Sequence, residues 1–585
     1  MKSILSFPQK VGWRDHVVGL CLAVAVTCWL MMTTKAIGFA RDEGFYFRAA
    51  TQYASWFELL FTEPGKAFER ATIDRIWGYN HEHPSLIKSL FALSWLGLHS
   101  KWKVFEHASD AIRFPAIVLS GVAAWVTYLF GARVYSRLAG LVAACLALLT
   151  PRVFYHAHLA CFDTAIVAMW LLCISVYWRS LERGGWGWAI VAGLVFGLAL
   201  ETKHNAWILP LLFIAHATVV VRERWRRGWS TKPLTIPSSL IGMALIGPLV
   251  FWLLWPWMWF DTWDRLRAYF AFHLHHDYYN MEFLGTNYFR PPSPLGYMPV
   301  MIIATVPTIT LVLFAVGFGS FCPRLYGIVR DFFRRGEPRL SDKEAALGYP
   351  QLLFFIAIGA ALGPWLLPKT PIFGGTKHWI TAYPFMALFA GRGLELAYRA
   401  LGRLLEGGPS WRKPLAKGLQ IAFVALVLAG PFAITVKSHP FGLASYVPAV
   451  GGTRGAATLG LNRQFWGYTT QNAAEEFLDK QAPPQSKVFI HDTAWDSWTQ
   501  MIREKRIRSD LRAVGAPSQA NFALLQHELH MNEVDYQIWV AYRTQSPVYI
   551  VTHEEVPIVS IYHSAPPNLR ENWQRFKDSF PRKGK

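Results

Sequence analysis

The sequence predicts an α-helical polytopic membrane protein with about eleven transmembrane helices and a small extracytoplasmic α/β domain at its C-terminal end. Hydrophobic residues make up 53% of the 585-residue chain and charged residues only 16%, with 27 Trp and 40 Phe. That balance is too apolar and too aromatic for an ordinary soluble chain of this size. The apolar residues gather in runs of near-bilayer length, and Lys and Arg gather in alternate short segments between the runs, as topology signals do.

The runs fall at roughly 17–37, 114–132, 138–155, 160–178, 186–201, 205–221, 237–257, 298–320, 350–367, 378–396 and 418–436. The first is longer than a signal-peptide core and lacks a small-residue cleavage site, so it is expected to stay as an anchor. Lys2, Lys10 and Arg14 start the count inside. Every second loop is then basic: Arg133 and Arg137, Arg179 and Arg183, the Arg222–Lys232 cluster, Arg324–Lys343 and Arg399–Lys417. The opposite loops include a long first segment at 38–113, an aromatic and His-rich one at 258–297, and short connections at 156–159, 202–204 and 368–377.

Residues 1–437 are therefore expected to form the membrane domain and 438–585 a soluble extracytoplasmic domain, in a multi-pass protein of the bacterial cytoplasmic (inner) membrane. Within the latter, 487–491, 536–540 and 548–552 read as short buried strands, and 521–530 and 495–503 as helices. The Gly-Gly-Thr-Arg-Gly run at 451–455 reads as a loop, because it lacks the strand and helix that flank a phosphate-binding P-loop. The formal net charge of +20 has a sufficient membrane explanation, so nucleic acid is not an expected partner. The six Cys lie in or beside apolar spans with no C-x-x-C pair, which excludes a disulfide framework and a thiolate metal site.

Polar clusters mark where chemistry is expected. Asp42-Glu43, Asp163, Lys203-His204, His273 to Asp277 and Lys377-His378 each abut an apolar run, and all five fall on the outer side by the span count. A transporter would seat such groups near the bilayer midplane; an array along one face suggests an enzyme at the water boundary. Adjacent carboxylates point in different directions, so one of Asp42 and Glu43 can face a reacting hydroxyl while the other holds a metal or a structural partner. Lys203 and Lys377 run against the charge bias of outer loops, which invites a functional reading beside interfacial snorkelling.

Together these residues resemble the GT-C superfamily of integral-membrane glycosyltransferases, specifically the family 39-like group of protein O-mannosyltransferases and bacterial lipid A sugar transferases. The resemblance covers roughly residues 15–400. It rests on Arg41-Asp-Glu-Gly-Phe-Tyr46, the Asn80-His-Glu-His-Pro84 segment, Arg113-Phe-Pro, Asp163, Gly197-Leu-Ala-x-x-Thr-Lys203 and Lys377-His-Trp-x-x-x-x-Tyr-Pro384.

The resemblance implies an inverting glycosyltransferase that moves a sugar from a polyprenyl-phosphate carrier to an envelope acceptor (lipid A, another glycan or a protein) at the outer face, hexosyl and pentosyl transfer both being open. It makes Asp42 the general base, with Glu43 and Asp163 as further catalytic candidates. Lys203, His204, Lys377, His378 and Arg113 become candidates for the donor phosphate. Relatives carry Lys-Pro-Pro where this chain has His83-Pro84-Ser85, which puts His83 in the place of a phosphate-contacting Lys. The chemistry fits: a carboxylate can take the acceptor's proton, and a phosphate leaving group needs cations more than an acid.

No cofactor is firmly implied, and a divalent cation is left open. His273, His275, His276 and Asp277 are metal ligands in type, but their spacing matches no standard zinc motif; sugar stacking or an interfacial helix is the expected use of the surrounding aromatics. The alternative class is a transporter or flippase of a lipid-linked substrate, for which internal repeats and midplane charges would speak, and neither is seen.

Overall fold

The computed structural model describes residues 10–230, 235–278, 281–333, 341–372, 374–405, 412–463, 465, 472–528 and 532–564. Each of the eleven apolar runs coincides with helix, although not each with one long helix. Five helices are long and apolar enough to cross a bilayer: Trp13–Thr33 with its short extension to Ala36, Ala108–Val134, Asp163–Arg183, the run from His204 to Arg226, and Pro414–Ser438. A sixth is gained if Tyr297–Thr305 and Thr308–Gly319 form one span bent by 114°. The bend falls at Pro307, which has no N–H to give the preceding turn.

Length and apolarity therefore stop short of the expected eleven among the described residues. Arg137–Leu148, Trp186–Leu200, Ser238–Leu254 and Pro350–Leu366 are apolar but shorter. Two of them lie against each other with almost nothing between: a Cβ on Gly242 would sit 1.9 Å from the Ala189 carbonyl oxygen, and one on Gly193 2.4 Å from that of Gly242. Small residues at such a crossing let the backbones meet, the usual packing device where no water drives helices together.

Burial sorts the helices. Only 17% of the Pro414–Ser438 window and 28% of the first helix's window are buried, against 78% for Asp163–Arg183. The first two turn Leu419, Leu426, Val17 and Val24 outward and need an apolar solvent on that side. Asp163–Arg183 is the central helix, and Asp163 stands at its start.

The C-terminal part is a small α/β unit. Strands β1 (Met281–Phe283) and β2 (Thr286–Tyr288) form a separate hairpin in the second long loop. Strands β3 (Lys487–Ile490), β4 (Arg512–Val514), β5 (Phe522–Gln526), β6 (Tyr549–His553) and β7 (Val556–His563) make one sheet in the order β4-β3-β5-β7-β6. β3 runs parallel to β4 and β5, while β7 is antiparallel to β5 and β6. Two expectations are corrected here. Residues 521–528 are not helical, 529 and 530 lying outside the described residues: all five residues of β5 are buried in mid-sheet, and a short apolar run does not tell a buried strand from a helix. The 536–540 segment lies in the helix Asn532–Tyr542, where Ile538 and Tyr542, four apart, are the buried pair. The glycine run at 451–455 starts a seven-residue helix rather than lying wholly in a loop.

This unit is fixed to the long segment that follows the first membrane helix. Glu504 accepts from the backbone N–H and the hydroxyl of Ser109 at 2.7 and 2.8 Å, and the Arg506 guanidinium lies over the Phe39 ring. A Cβ on Gly44 would come within 2.7 Å of the Ser497 backbone nitrogen. The glycine in Asp-Glu-Gly thus lets the helix Trp495–Arg503 close on the helix Arg41–Thr62, which carries Asp42 in its first turn.

Candidate active site

Two of the short connections, the two long loops and the C-terminal unit converge on one cavity of about 520 Å³. Asp42, His83, Asp163, Lys203, His204, Lys377 and His378 all line it, together with His273 and His276. Residues spread over most of the chain therefore share one chamber, on the face where the central membrane helix starts.

Asp42 lies in the first turn of the helix Arg41–Thr62, with its side chain 28% exposed and its Oδ2 3.6 Å from Lys377 Nζ. Burial pulls the Lys377 ammonium down from its ordinary value, while Asp42 and Asp163 oppose that pull. On the opposite pair, Lys203 Nζ donates to Asp163 Oδ1 at 2.5 Å, and His156 Nδ1 stands 3.5 Å from the other oxygen. Two carboxylates and two ammoniums are thereby interleaved, which lets charges of both signs persist in a poorly solvated site.

Glu43 points elsewhere. It is wholly buried and accepts from Arg113 Nε and Nη2, both at 2.7 Å, from the Ala40 N–H at 3.0 Å and from the Ala160 N–H at 2.9 Å. Arg113 also donates to the Gly38 carbonyl at 2.9 Å. The pair is a clamp that ties the exit of the first span to the start of the second. Neither residue lines the cavity, so this geometry gives Glu43 no reacting hydroxyl to face and Arg113 no phosphate to meet.

The Asn80–Pro84 segment is held from beneath by a residue the sequence reading passed over. Lys88 Nζ donates to the carbonyls of Asn80 and His83 at 2.6 and 2.9 Å, and burial lowers its pKa to about 7. His83 packs against the Phe162 ring, and desolvation holds it well below its ordinary value; it presents a neutral imidazole rather than a cation. His204 stacks on His273 at 4.1 Å, and His273 Nε2 donates to the Glu82 carbonyl at 3.0 Å. His378 Nε2 accepts the Gly374 N–H at 3.0 Å.

His275 and Asp277 do not line the cavity, and among the described residues no three His, Cys, Asp or Glu side chains gather as a metal site. His275 Nδ1 lies 3.2 Å from the Ala271 carbonyl.

Beside Arg41 and Glu82 from the two quoted motifs, the cavity also holds residues the sequence did not single out: Phe272, Asn462, Asp492 and Glu528. Arg41 Nη1 donates to Asp492 Oδ1 at 2.8 Å, and burial raises the Asp492 pKa to about 6 against the pull of Arg41. Asp492 follows β3 in the C-terminal unit, far along the chain from Arg41. No spacing in the sequence announces it.

Residues 92–252 match the family model described as dolichyl-phosphate-mannose-protein mannosyltransferase, a stretch that contains Arg113, Asp163, Lys203 and His204 but not Asp42 or Lys377. That match spans less than a third of the chain, and over this stretch the chain is similar to the family. Similar solved structures include ArnT from Cupriavidus metallidurans bound to undecaprenyl phosphate, at 14% identity and a TM-score of 0.43, covering 96% of this chain and 99% of that one. Another is the archaeal oligosaccharyltransferase AglB from Archaeoglobus fulgidus in complex with an inhibitory peptide and a dolichol-phosphate, at 11% identity and a TM-score of 0.45, covering 94% and 75%. No curated protein matches the sequence.

Proposed function

We propose that the protein transfers a sugar from a polyprenyl-phosphate carrier to an envelope acceptor, lipid A, a glycan or a protein, at the outer face of the cytoplasmic membrane. The observation that carries this reading is the cavity in which Asp42 lies 3.6 Å from Lys377, with the Asp163–Lys203 pair lining the same chamber at the end of the central membrane helix. Asp42 takes the proton of the acceptor hydroxyl as its oxygen attacks C1 of the sugar. The C1–O bond to the carrier phosphate breaks on the opposite face, which inverts the anomeric centre. The leaving polyprenyl phosphate carries off the electron pair, and Lys377 and Lys203 meet the charge that develops on it. The carrier's hydrocarbon stays in the bilayer, so a site at the end of a membrane helix suits such a donor.

The test is transfer of radiolabelled sugar from polyprenyl phosphate to an envelope extract by the purified chain. Labelled product from wild type and none from Asp42→Asn supports the reading; equal labelling by both sinks it. The outer placement of the cavity is tested by labelling single cysteines at Gly187 and Gly515, exposed positions with open space for a side chain. An impermeant thiol reagent should reach Gly515→Cys and not Gly187→Cys in cells with a permeabilised outer membrane.

A further inference from the structure

A second cavity, of about 380 Å³, opens at the other end of the central helix and takes no part in the chemistry above. Asp163 starts that helix, and Arg179 and Arg183 close it. At 1.5 Å per residue the two ends are roughly 25 to 30 Å apart, about the hydrocarbon thickness of a bilayer. The cavity therefore faces the opposite leaflet.

Its polar wall is made by Arg133, Arg179 and Arg183. Arg133 is paired with Glu182 at 2.6 Å and lies over the Trp178 ring. Arg183 lies over the Trp188 ring at 5.5 Å. Among the described residues neither Arg179 nor Arg183 has a carboxylate within ion-pairing distance; Arg133 and Arg183 repel Arg179, and the more distant Glu182 partly offsets them. Three guanidiniums thus crowd one opening with a single carboxylate to balance them. Positive-inside bias explains arginines in this loop; it does not explain their convergence on a cavity.

Apart from His16 and Ser175, the rest of the wall is apolar or aromatic, with Val126, Leu129, Phe130 and Val176 along it. A ligand that fits carries negative charge at one end and hydrocarbon at the other. We propose that this cavity holds the headgroup of an anionic phospholipid of the phosphatidylglycerol class, with the phosphate on Arg179 and Arg183 and the acyl chains along Val126 and Leu129. A free phosphate would satisfy the guanidiniums but gain nothing from the apolar wall. Trp188, only partly buried at the rim, is placed as interfacial aromatics are beside headgroups.

Native mass spectrometry of the full chain in detergent, titrated with phosphatidylglycerol, phosphatidylcholine or inorganic phosphate, tests the assignment. Wild type should keep one phosphatidylglycerol and shed phosphatidylcholine, with inorganic phosphate failing to displace the lipid. Arg179→Ala/Arg183→Ala should weaken phosphatidylglycerol binding by roughly tenfold or more. The control pair Arg403→Ala/Lys417→Ala, exposed positions carrying the same charge change, should bind as wild type does. Equal binding by the arginine variant, an equal loss in the control pair, or displacement by inorganic phosphate would each overturn the proposal. Should the double alanine variant not fold, Arg183→Gln alone carries the same comparison.

Discussion

Asp42 Oδ2 stands 3.6 Å from the Nζ of Lys377, a separation at which the two charges stabilise one another without the carboxylate being locked in a short hydrogen bond. A candidate base so placed keeps lone pairs for an acceptor hydroxyl. Asp42→Asn is expected to lower turnover by about 10² to 10⁴, with donor binding unchanged or tighter, because Lys377 loses a competing anion. Radiolabelled transfer by purified variants checks this. Near-normal transfer by Asp42→Asn, with none by Asp163→Asn, would move the base to Asp163.

Lys203 and Lys377 should act on the donor rather than the acceptor. Removing either ammonium is expected to cost roughly 1.5 to 3 kcal/mol in donor affinity or turnover. Lys203→Ala has a second effect, since it leaves Asp163 buried without its 2.5 Å partner. The Lys203→Ala/Asp163→Asn double variant should therefore regain stability without regaining donor affinity. Wild-type kinetics in Lys377→Ala and in the Lys203 double variant would end both assignments.

The helices were legible because lipid-facing and buried spans write themselves as long apolar runs, and the polar residues abutting those runs led to most of the cavity wall. What the sequence could not say is which of two neighbouring acids faces inward. Asp42 and Glu43 differ by one helix step of about 100°, enough to send one to the cavity and the other into a clamp. Nor could it show Arg41 meeting Asp492, because a contact between distant loops leaves no periodicity in either. The C-terminal misreadings have another cause. Phe522–Leu525 is apolar at every position because both faces of β5 are covered, which erases the alternation that marks a strand.

Glu43 and Arg113 should behave as structural residues. Their side chains are 0% and 1% exposed, so breaking the pair strands a buried charge, at a cost of about 3 to 5 kcal/mol. Glu43→Gln and Arg113→Ala are expected to lower the melting temperature and the yield of folded protein. Any folded Glu43→Gln should keep the donor KM of wild type. An unchanged melting temperature with a raised donor KM in Arg113→Ala would return that arginine to the phosphate site.

Asp492 supplies a pH test of how the C-terminal unit meets the site. Its side chain is 5% exposed beside Arg41, and burial raises its pKa from 3.8 to about 6. A carboxyl whose folded pKa is raised contributes full stability below its unfolded pKa and loses that contribution as pH rises through the folded value. Wild type should therefore lose up to about 3 kcal/mol between about pH 4 and pH 7 relative to a variant that cannot ionise there. Asn is the suitable replacement: Asp492 has φ +46°, a left-handed conformation that Asn tolerates, and the amide oxygen can still accept from Arg41. The midpoint of thermal unfolding of Asp492→Asn minus that of wild type should grow more positive from pH 4 to pH 7. A difference independent of pH would mean that Asp492 ionises as freely in the folded protein as in the unfolded chain, and that Arg41 rather than burial governs it.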